Sequence, residues 1–150
     1  MKINNVVVIG SGTMGSGIAA QLCNANIPVT LLDLKTEISQ KAKERIEKSR
    51  PPLLIDKSKI DGIKVGNISD DFNIVSEADW IVEAVVERID IKHDIYEKIF
   101  KQRKKDSIVS SNTSSIPISV LSEKMSEDDK KDFCITHFFN PVRYMDLLEI

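Results

Sequence analysis

The stretch Val6-Val7-Val8-Ile9-Gly10-Ser11-Gly12-Thr13-Met14-Gly15-Ser16-Gly17 constrains this chain more than any other. An apolar, β-branched run passes straight into a glycine-rich turn and then into a good helix former, Ile18-Ala19-Ala20-Gln21-Leu22. In such a strand-turn-helix Gly10 allows the tight turn, Gly12 lets the backbone approach a pyrophosphate, and Gly15 lets the helix pack against the strand. Thr13 and Met14 fall in the first helical turn, whose free N–H groups and dipole would face the phosphates. A second apolar run, residues 27–32, ends at Asp33, 18 positions beyond Gly15, where an acid for the adenosine ribose is expected. The competing reading is an ordinary strand-turn-helix with spare glycines. Asp33 is followed by Leu34 rather than an arginine, so a carboxylate would meet the ribose hydroxyls and repel a 2′-phosphate; this favours NAD over NADP, with Lys35 the one nearby cation that weakens the preference.

A chain of 150 residues corresponds to about one domain, here residues 1–150. With 41% apolar and 29% charged residues it has the composition of an ordinary globular protein. A net charge of −2 argues against a dedicated nucleic-acid binder. The apolar run after Met1-Lys2 is too short for a signal peptide or a membrane span. Cys23 and Cys134 lack metal-like spacing and read as reduced, buried thiols. A cytoplasmic protein without metal, membrane or nucleic-acid partners is expected.

Asn24-Ala25-Asn26 supplies the turn chemistry that ends the first helix, and a second strand starts near Val29. Residues 36–49 form an amphipathic helix with Ile38, Ala42 and Ile46 on its apolar face, stopped by Arg50-Pro51-Pro52. Residues 63–67 and 72–75 are short strand or connecting pieces, and 80–85 is a buried parallel strand. Residues 89–100 have helical periodicity, and the basic cluster Lys101, Arg103, Lys104 and Lys105 suits that helix's carboxyl end. A strand at 107–110 delivers Ser111-Asn112-Thr113-Ser114-Ser115 to its end; a short helix, a charged loop, an apolar run at 133–139 and a final run at 147–150 follow. The alternation predicts an α/β domain with a doubly wound, mainly parallel sheet and antiparallel last strands. The chain stops inside an apolar run, so a piece of a longer protein is expected.

His137 is the first candidate for chemistry, since histidine titrates near neutrality and can take a proton from an alcohol. Glu149 lies 12 positions later; a hairpin pairing 133–139 with 146–150 about Arg143 would place the two side chains directly opposite. A carboxylate there would fix the imidazole tautomer. The 111–115 cluster either bonds cofactor and substrate or merely caps the next helix. Glu83, Glu87 and Lys92 can reach a ribose or carboxamide, or be a helix-start acid pair and a surface base. His93 reads as a surface residue.

The motifs Val8-Ile9-Gly10-Ser11-Gly12-Thr13-Met14-Gly15, the run from Asp79 to Glu87, Ser111-Asn112-Thr113-Ser114-Ser115 and His137-Phe138-Phe139-Asn140-Pro141 together resemble the NAD-binding domain of the 3-hydroxyacyl-CoA dehydrogenases. That resemblance implies a Rossmann-type fold, NAD as cofactor, and oxidation of a (3S)-3-hydroxyacyl-CoA in fatty-acid β-oxidation or the reverse reduction. It implies His137 as base, Glu149 as its orienting partner, and Ser114 and Asn140 as groups bonding the reacting oxygen. It also implies Asp33 on the adenosine ribose; Glu87, Lys92 and Asn112 around the rest of NAD; and Ser49 on coenzyme A. Arg50-Pro51-Pro52 departs from the family's longer helical arm, leaving Lys57 and Lys59 as alternative basic contacts. The family's helical carboxyl-terminal domain, which closes over substrate and forms the dimer, is absent, as are the remaining strands of the nucleotide domain; full-length members are homodimers or parts of multifunctional chains. Two alternatives remain: an NAD-binding module without efficient catalysis, and a related hydroxy-acid dehydrogenase.

Overall fold

The computed structural model describes residues 2–150. Its centre is β1 (Val6–Ile9), buried on both faces and paired in parallel with β2 (Val29–Asp33) on one side and β4 (Trp80–Glu83) on the other. With β3 (Ile63–Asn67), β5 (Ile108–Ser111) and β6 (Phe133–Ile135) they form a six-stranded parallel sheet in the order β3-β2-β1-β4-β5-β6. Strand order therefore reverses between β1 and β4, whose chains continue to opposite faces of the sheet, the arrangement that leaves a crevice beyond the strand ends.

Period-two alternation splits the core into two layers. Val6 and Val8 pack beneath α1 (Thr13–Asn24) and α2 (Thr36–Lys48) with Ile18, Leu31 and Ile46. Val7 and Ile9 face α3 (Ile89–Gln102) with Ile95, Tyr96 and Ile99. Helix α1 ends as its turn residues predict: Asn26 takes the left-handed conformation (φ 59°), the Ile27 amide bonds the Leu22 carbonyl, and the Asn24 side chain holds the backbone at Leu53 and Ile55. On α2, Ala42 and Ile46 are buried as expected, whereas Ile38 stays 39% exposed because it lines the crevice.

The structure corrects several expectations. Of the two pieces left open between strand and connection, residues 63–67 are the strand and 72–77 a connecting 3-10 turn, and the polar segment before β3 carries another at 57–62. The region expected as a short helix and a charged loop holds two short helices, α4 (Ile118–Leu121) and α5 (Glu127–Lys130), the latter capped by Ser126. The apolar run 133–139 is not one strand: β6 extends the parallel sheet, the Thr136 amide bonds Ser111, and only β7 (His137–Phe138) pairs antiparallel with β8 (Leu148–Glu149) in a separate ribbon. The antiparallel expectation holds for that ribbon and fails for β6. Cys23 is buried, but Cys134 is only half-buried.

Candidate active site

Parallel strands deliver all their carboxyl ends to one edge, and the glycine motif sits at its middle. Gly10 has φ +101°, and a Cβ there would lie 2.4 Å from the Ala84 carbonyl oxygen. A Cβ at Gly15 would lie 1.8 Å from the Gly10 carbonyl oxygen. Both glycines are thus demanded by the crossing of loop, helix and β4. Gly12 differs: among the described residues no atom beyond its chain neighbours comes within 4 Å of its Cβ position, so the fold itself leaves that space open. Gly12 is also the N-cap of α1 and offers no side-chain cap, and the first intrahelical amide bond is that of Ser16. The amides of Thr13, Met14 and Gly15 accordingly lack partners in the helix. An open cradle, three free donors and a helix dipole fit the pyrophosphate of a dinucleotide.

Asp33 closes β2 at the same edge. Its Oδ2 accepts bonds from the Ser11 amide at 2.7 Å and the Ser11 hydroxyl at 2.6 Å, while Oδ1 accepts from the Leu34 amide at 2.7 Å. The acid is therefore fixed in place with its charge beside a groove of about 470 Å³ lined by Gly10, Ser11, Gly12, Leu34, Val86 and Arg45 among others. Arg45, from α2, donates to the Ser11 carbonyl at 2.9 Å. Sequence reasoning passed over Ser11 and Arg45, since a serine between glycines and an arginine on a charged helix face carry no distinctive signal.

A second cleft of about 400 Å³ adjoins this groove through Ala84 and Val85, which line both. It gathers Met14, Glu87, Lys92, Asn112, Ser114, His137 and Asn140, seven residues expected at the site from four separate stretches of sequence. His137 and Glu149 are direct partners in the β7–β8 register, with Nδ1 and Oε2 2.8 Å apart. A carboxylate only accepts, so Nδ1 carries a proton, and in the neutral ring Nε2 keeps its lone pair. The imidazole is also packed at a tilt against Phe139, with ring centroids 4.6 Å apart.

Behind the cleft lies a buried polar network. Glu83, fully buried, accepts from Lys92 (2.7 Å) and the Val85 amide (2.8 Å) on Oε1, and from Tyr96 and Ser111 hydroxyls (2.6 Å each) on Oε2. Lys92 is 1% exposed and also meets Glu87 at 3.1 Å. The surface reading of Lys92 is thus overturned: an ammonium beside two acids can be buried because it is paired twice. His93, too, is buried rather than on the surface, with Nε2 2.9 Å from the Val120 carbonyl oxygen. Glu87 accepts from the Thr113 hydroxyl and the Ser114 amide. Burial pushes the Glu87 carboxyl up, but the bonds from Thr113 and Lys92, the lysine's charge and the Ser114 amide outweigh it and hold it below the ordinary glutamate range. Burial, reinforced by the Glu83 charge, pushes the Tyr96 hydroxyl far above its ordinary range, so it stays a donor. Asn112 accepts from the Phe138 amide at 2.9 Å and so ties the 111–115 loop to β7. The sequence signals for the network were an acid inside an apolar strand and the 111–115 cluster that holds Thr113; Tyr96 gave none.

Four expected residues line neither cleft: Gly15, packed against the Gly10 carbonyl; Glu149, which meets the second cleft only through His137; Thr13; and Ser49. Thr13 is exposed at the start of α1, its contribution being its amide. Ser49 ends α2, donating its hydroxyl to the Ile46 carbonyl (2.8 Å) and accepting from the Leu53 amide (2.9 Å). To donate to a ligand phosphate it must release Ile46. The turn of the β7–β8 hairpin rests on this same segment: Arg143 donates to the Pro52 and Leu54 carbonyls (2.6 and 3.2 Å), and Tyr144 donates to Pro52 (2.7 Å).

Known proteins share this sequence pattern and this fold. Residues 5–150 match the family described as 3-hydroxyacyl-CoA dehydrogenase, NAD binding domain. A Deinococcus radiodurans protein named as a probable 3-hydroxyacyl-CoA dehydrogenase is 45% identical over 157 residues, covering 100% of this chain and 45% of that protein. A Rickettsia felis protein named, provisionally, as a fatty acid oxidation complex trifunctional enzyme is 43% identical over 156 residues, covering 99% of the chain and 22% of that protein. The crystal structure of 3-hydroxybutyryl-CoA dehydrogenase from Escherichia coli superposes with a TM-score of 0.85 at 26% identity, over 99% of this chain and 32% of that one. The chain thus spans less than half the length of these relatives. Their agreement with the strand order, the glycine cradle and the motif match places it: this chain is an NAD-binding oxidoreductase domain and belongs to the 3-hydroxyacyl-CoA dehydrogenase family.

Proposed function

We propose that this domain catalyses hydride transfer between NAD and the 3-hydroxyl carbon of a (3S)-3-hydroxyacyl-CoA. The observation that carries the reading is that His137 lines the cleft beside the dinucleotide groove and is held by Glu149 at 2.8 Å. NAD, when bound, supplies the hydride acceptor. Nε2 of His137 takes the hydroxyl proton, and Glu149 steadies the imidazolium that results. Ser114 and Asn140, lining the same cleft, supply a hydroxyl and a carboxamide donor for the charge that develops on the substrate oxygen. Ser49 is our choice for a coenzyme A contact, on the condition that its bond to Ile46 opens.

The test is NADH absorbance after mixing the chain with NAD and 3-hydroxybutyryl-CoA, beside His137→Gln, with NAD binding followed by calorimetry. We expect the substitution to lower turnover by roughly 10²- to 10⁴-fold, the usual contribution of a general base, while NAD binding persists. Absence of NAD binding in the unmodified chain would overturn the reading.

The chain's share of its relatives favours a second reading, a domain that binds NAD but turns over slowly without the rest of the longer proteins. Binding without turnover in both variants supports it, because closure and water exclusion require further structure.

A further inference from the structure

We infer that Glu87, through the negative charge it leaves uncompensated beside Lys92, makes this cleft discriminate between the two redox states of its cofactor in favour of the oxidised form. The inference rests on the NAD reading above and goes beyond it, from which cofactor binds to which of its charge states is preferred.

Two carboxylates, Glu83 and Glu87, face one ammonium, Lys92, at 2.7 and 3.1 Å, so the cluster carries a net charge of about −1 (two acids against one base). Glu83 is sealed in, with both oxygens occupied by Lys92, Val85, Tyr96 and Ser111. Glu87 is the member that reaches the cleft: its side chain is 39% exposed and lines the cavity with His137 and Asn112. Glu149 does not line the cleft but bonds His137, which does, and its charge is fully compensated only when His137 is protonated. Arg88, the nearest other cation along the chain, is taken by Asp90 and does not line the cleft. His137 assigns the redox end of a dinucleotide to this cleft, and Asp33 assigns the adenosine end to the groove beyond Ala84 and Val85. The nicotinamide ring is a cation when oxidised and neutral when reduced. A negatively charged wall therefore attracts only one of the two.

Glu87 is a specificity-determining residue by this account, and its charge can be separated from its hydrogen bonds. Kd values for NAD+ and for NADH are measured by calorimetry on the unmodified chain, Glu87→Gln and Glu87→Asp. Loss of bonds weakens both forms alike and cancels in the ratio of the two Kd values; loss of charge does not. Glu87→Gln is expected to shift that ratio toward NADH by roughly three- to tenfold, the low end set by solvent screening. Glu87→Asp keeps the ratio of the unmodified chain even where both affinities fall. Glu149→Gln, at a side chain already 60% exposed, gives an independent shift of the same sign and smaller size. If the unmodified chain binds both forms and neither glutamine variant moves the ratio, the inference is overturned and the NAD reading stands. If the unmodified chain binds neither form, the NAD reading falls and takes the inference with it.

Discussion

At the scale of single residues the three motif glycines do different work, and the difference is measurable. Gly10 and Gly15 are required by the protein's own backbone, since a Cβ at either meets a carbonyl oxygen well inside contact distance. Gly12 is required by nothing in the fold, having ordinary negative φ (−65°) and empty space where a Cβ would go. Alanine at Gly12 should therefore change unfolding free energy by less than about 1 kcal/mol, and a gain of helix-compatible rigidity can even offset part of that. The same methyl group would occupy the cradle and weaken NAD binding by at least roughly tenfold, because phosphate could no longer approach the amides of Thr13 and Met14. Gly15→Ala, in contrast, should lower stability by about 2 kcal/mol or more by forcing the loop away from β4. Urea melts and calorimetry on the two variants check this. Equal losses of stability in both would show that Gly12 is structural after all.

At the scale of elements, the hairpin is what the sequence half revealed. The separation of His137 and Glu149 and the turn at Arg143 were legible because antiparallel pairing has a fixed register rule, and the observed partners obey it. The glycine cradle and Asp33 were legible because their spacing is set by the geometry of one βαβ unit. What stayed hidden depended on contacts between distant segments. Phe133 to Ile135 joined the parallel sheet because β5 offered it an open edge, a fact that local alternation does not encode. His93 read as a surface residue, and Lys92 as either a cofactor contact or a surface base, because a helix's charged positions normally face solvent; their burial follows from partners 9 and 27 residues away. The brace at Arg143 was equally invisible, since its acceptors are carbonyls some 90 residues earlier. That brace yields a prediction. A two-stranded ribbon is marginal on its own, so Arg143→Ala should destabilise β7 and β8 locally by about 1–3 kcal/mol, the range for lost bonds to a charged donor. Amide exchange at Phe138 and Leu148 should quicken by roughly five- to 150-fold, with the amides of β1 unchanged. Uniform quickening across the sheet would assign Arg143 to global stability rather than to the placement of His137.

At the scale of the whole molecule, the site is held together by very few elements acting at one edge. β1 and α1 present the phosphate cradle, β2 presents Asp33, β4 and α3 present Glu83, Glu87 and Lys92, β5 presents the 111–115 loop, and the terminal ribbon presents His137. Tyr96 and Ser111 join α3 to β5 through Glu83, and Asn112 joins β5 to β7, so the cleft walls are connected by bonds that no ligand need supply. Binding across such a preformed crevice should stabilise the fold chiefly by mass action. At a hundred times Kd, NAD would add about 2.7 kcal/mol, which for a chain of this size raises Tm by about 5–11 °C. The rise should grow with the logarithm of concentration and fall to about half or less in Gly12→Ala at the same NAD concentration, while adenosine alone, which lacks the pyrophosphate, should give only a small part of it. A Tm that responds to NAD equally in Gly12→Ala would mean that the dinucleotide binds elsewhere, and the crevice between β1 and β4 would lose its assignment. A response weakened in this way by Gly12→Ala ties the glycine loop, the strand order and the ligand to one place. That placement matters for the chemistry, because a dinucleotide anchored at the loop can carry its redox end only as far as the adjoining cleft, where His137 and Glu149 stand.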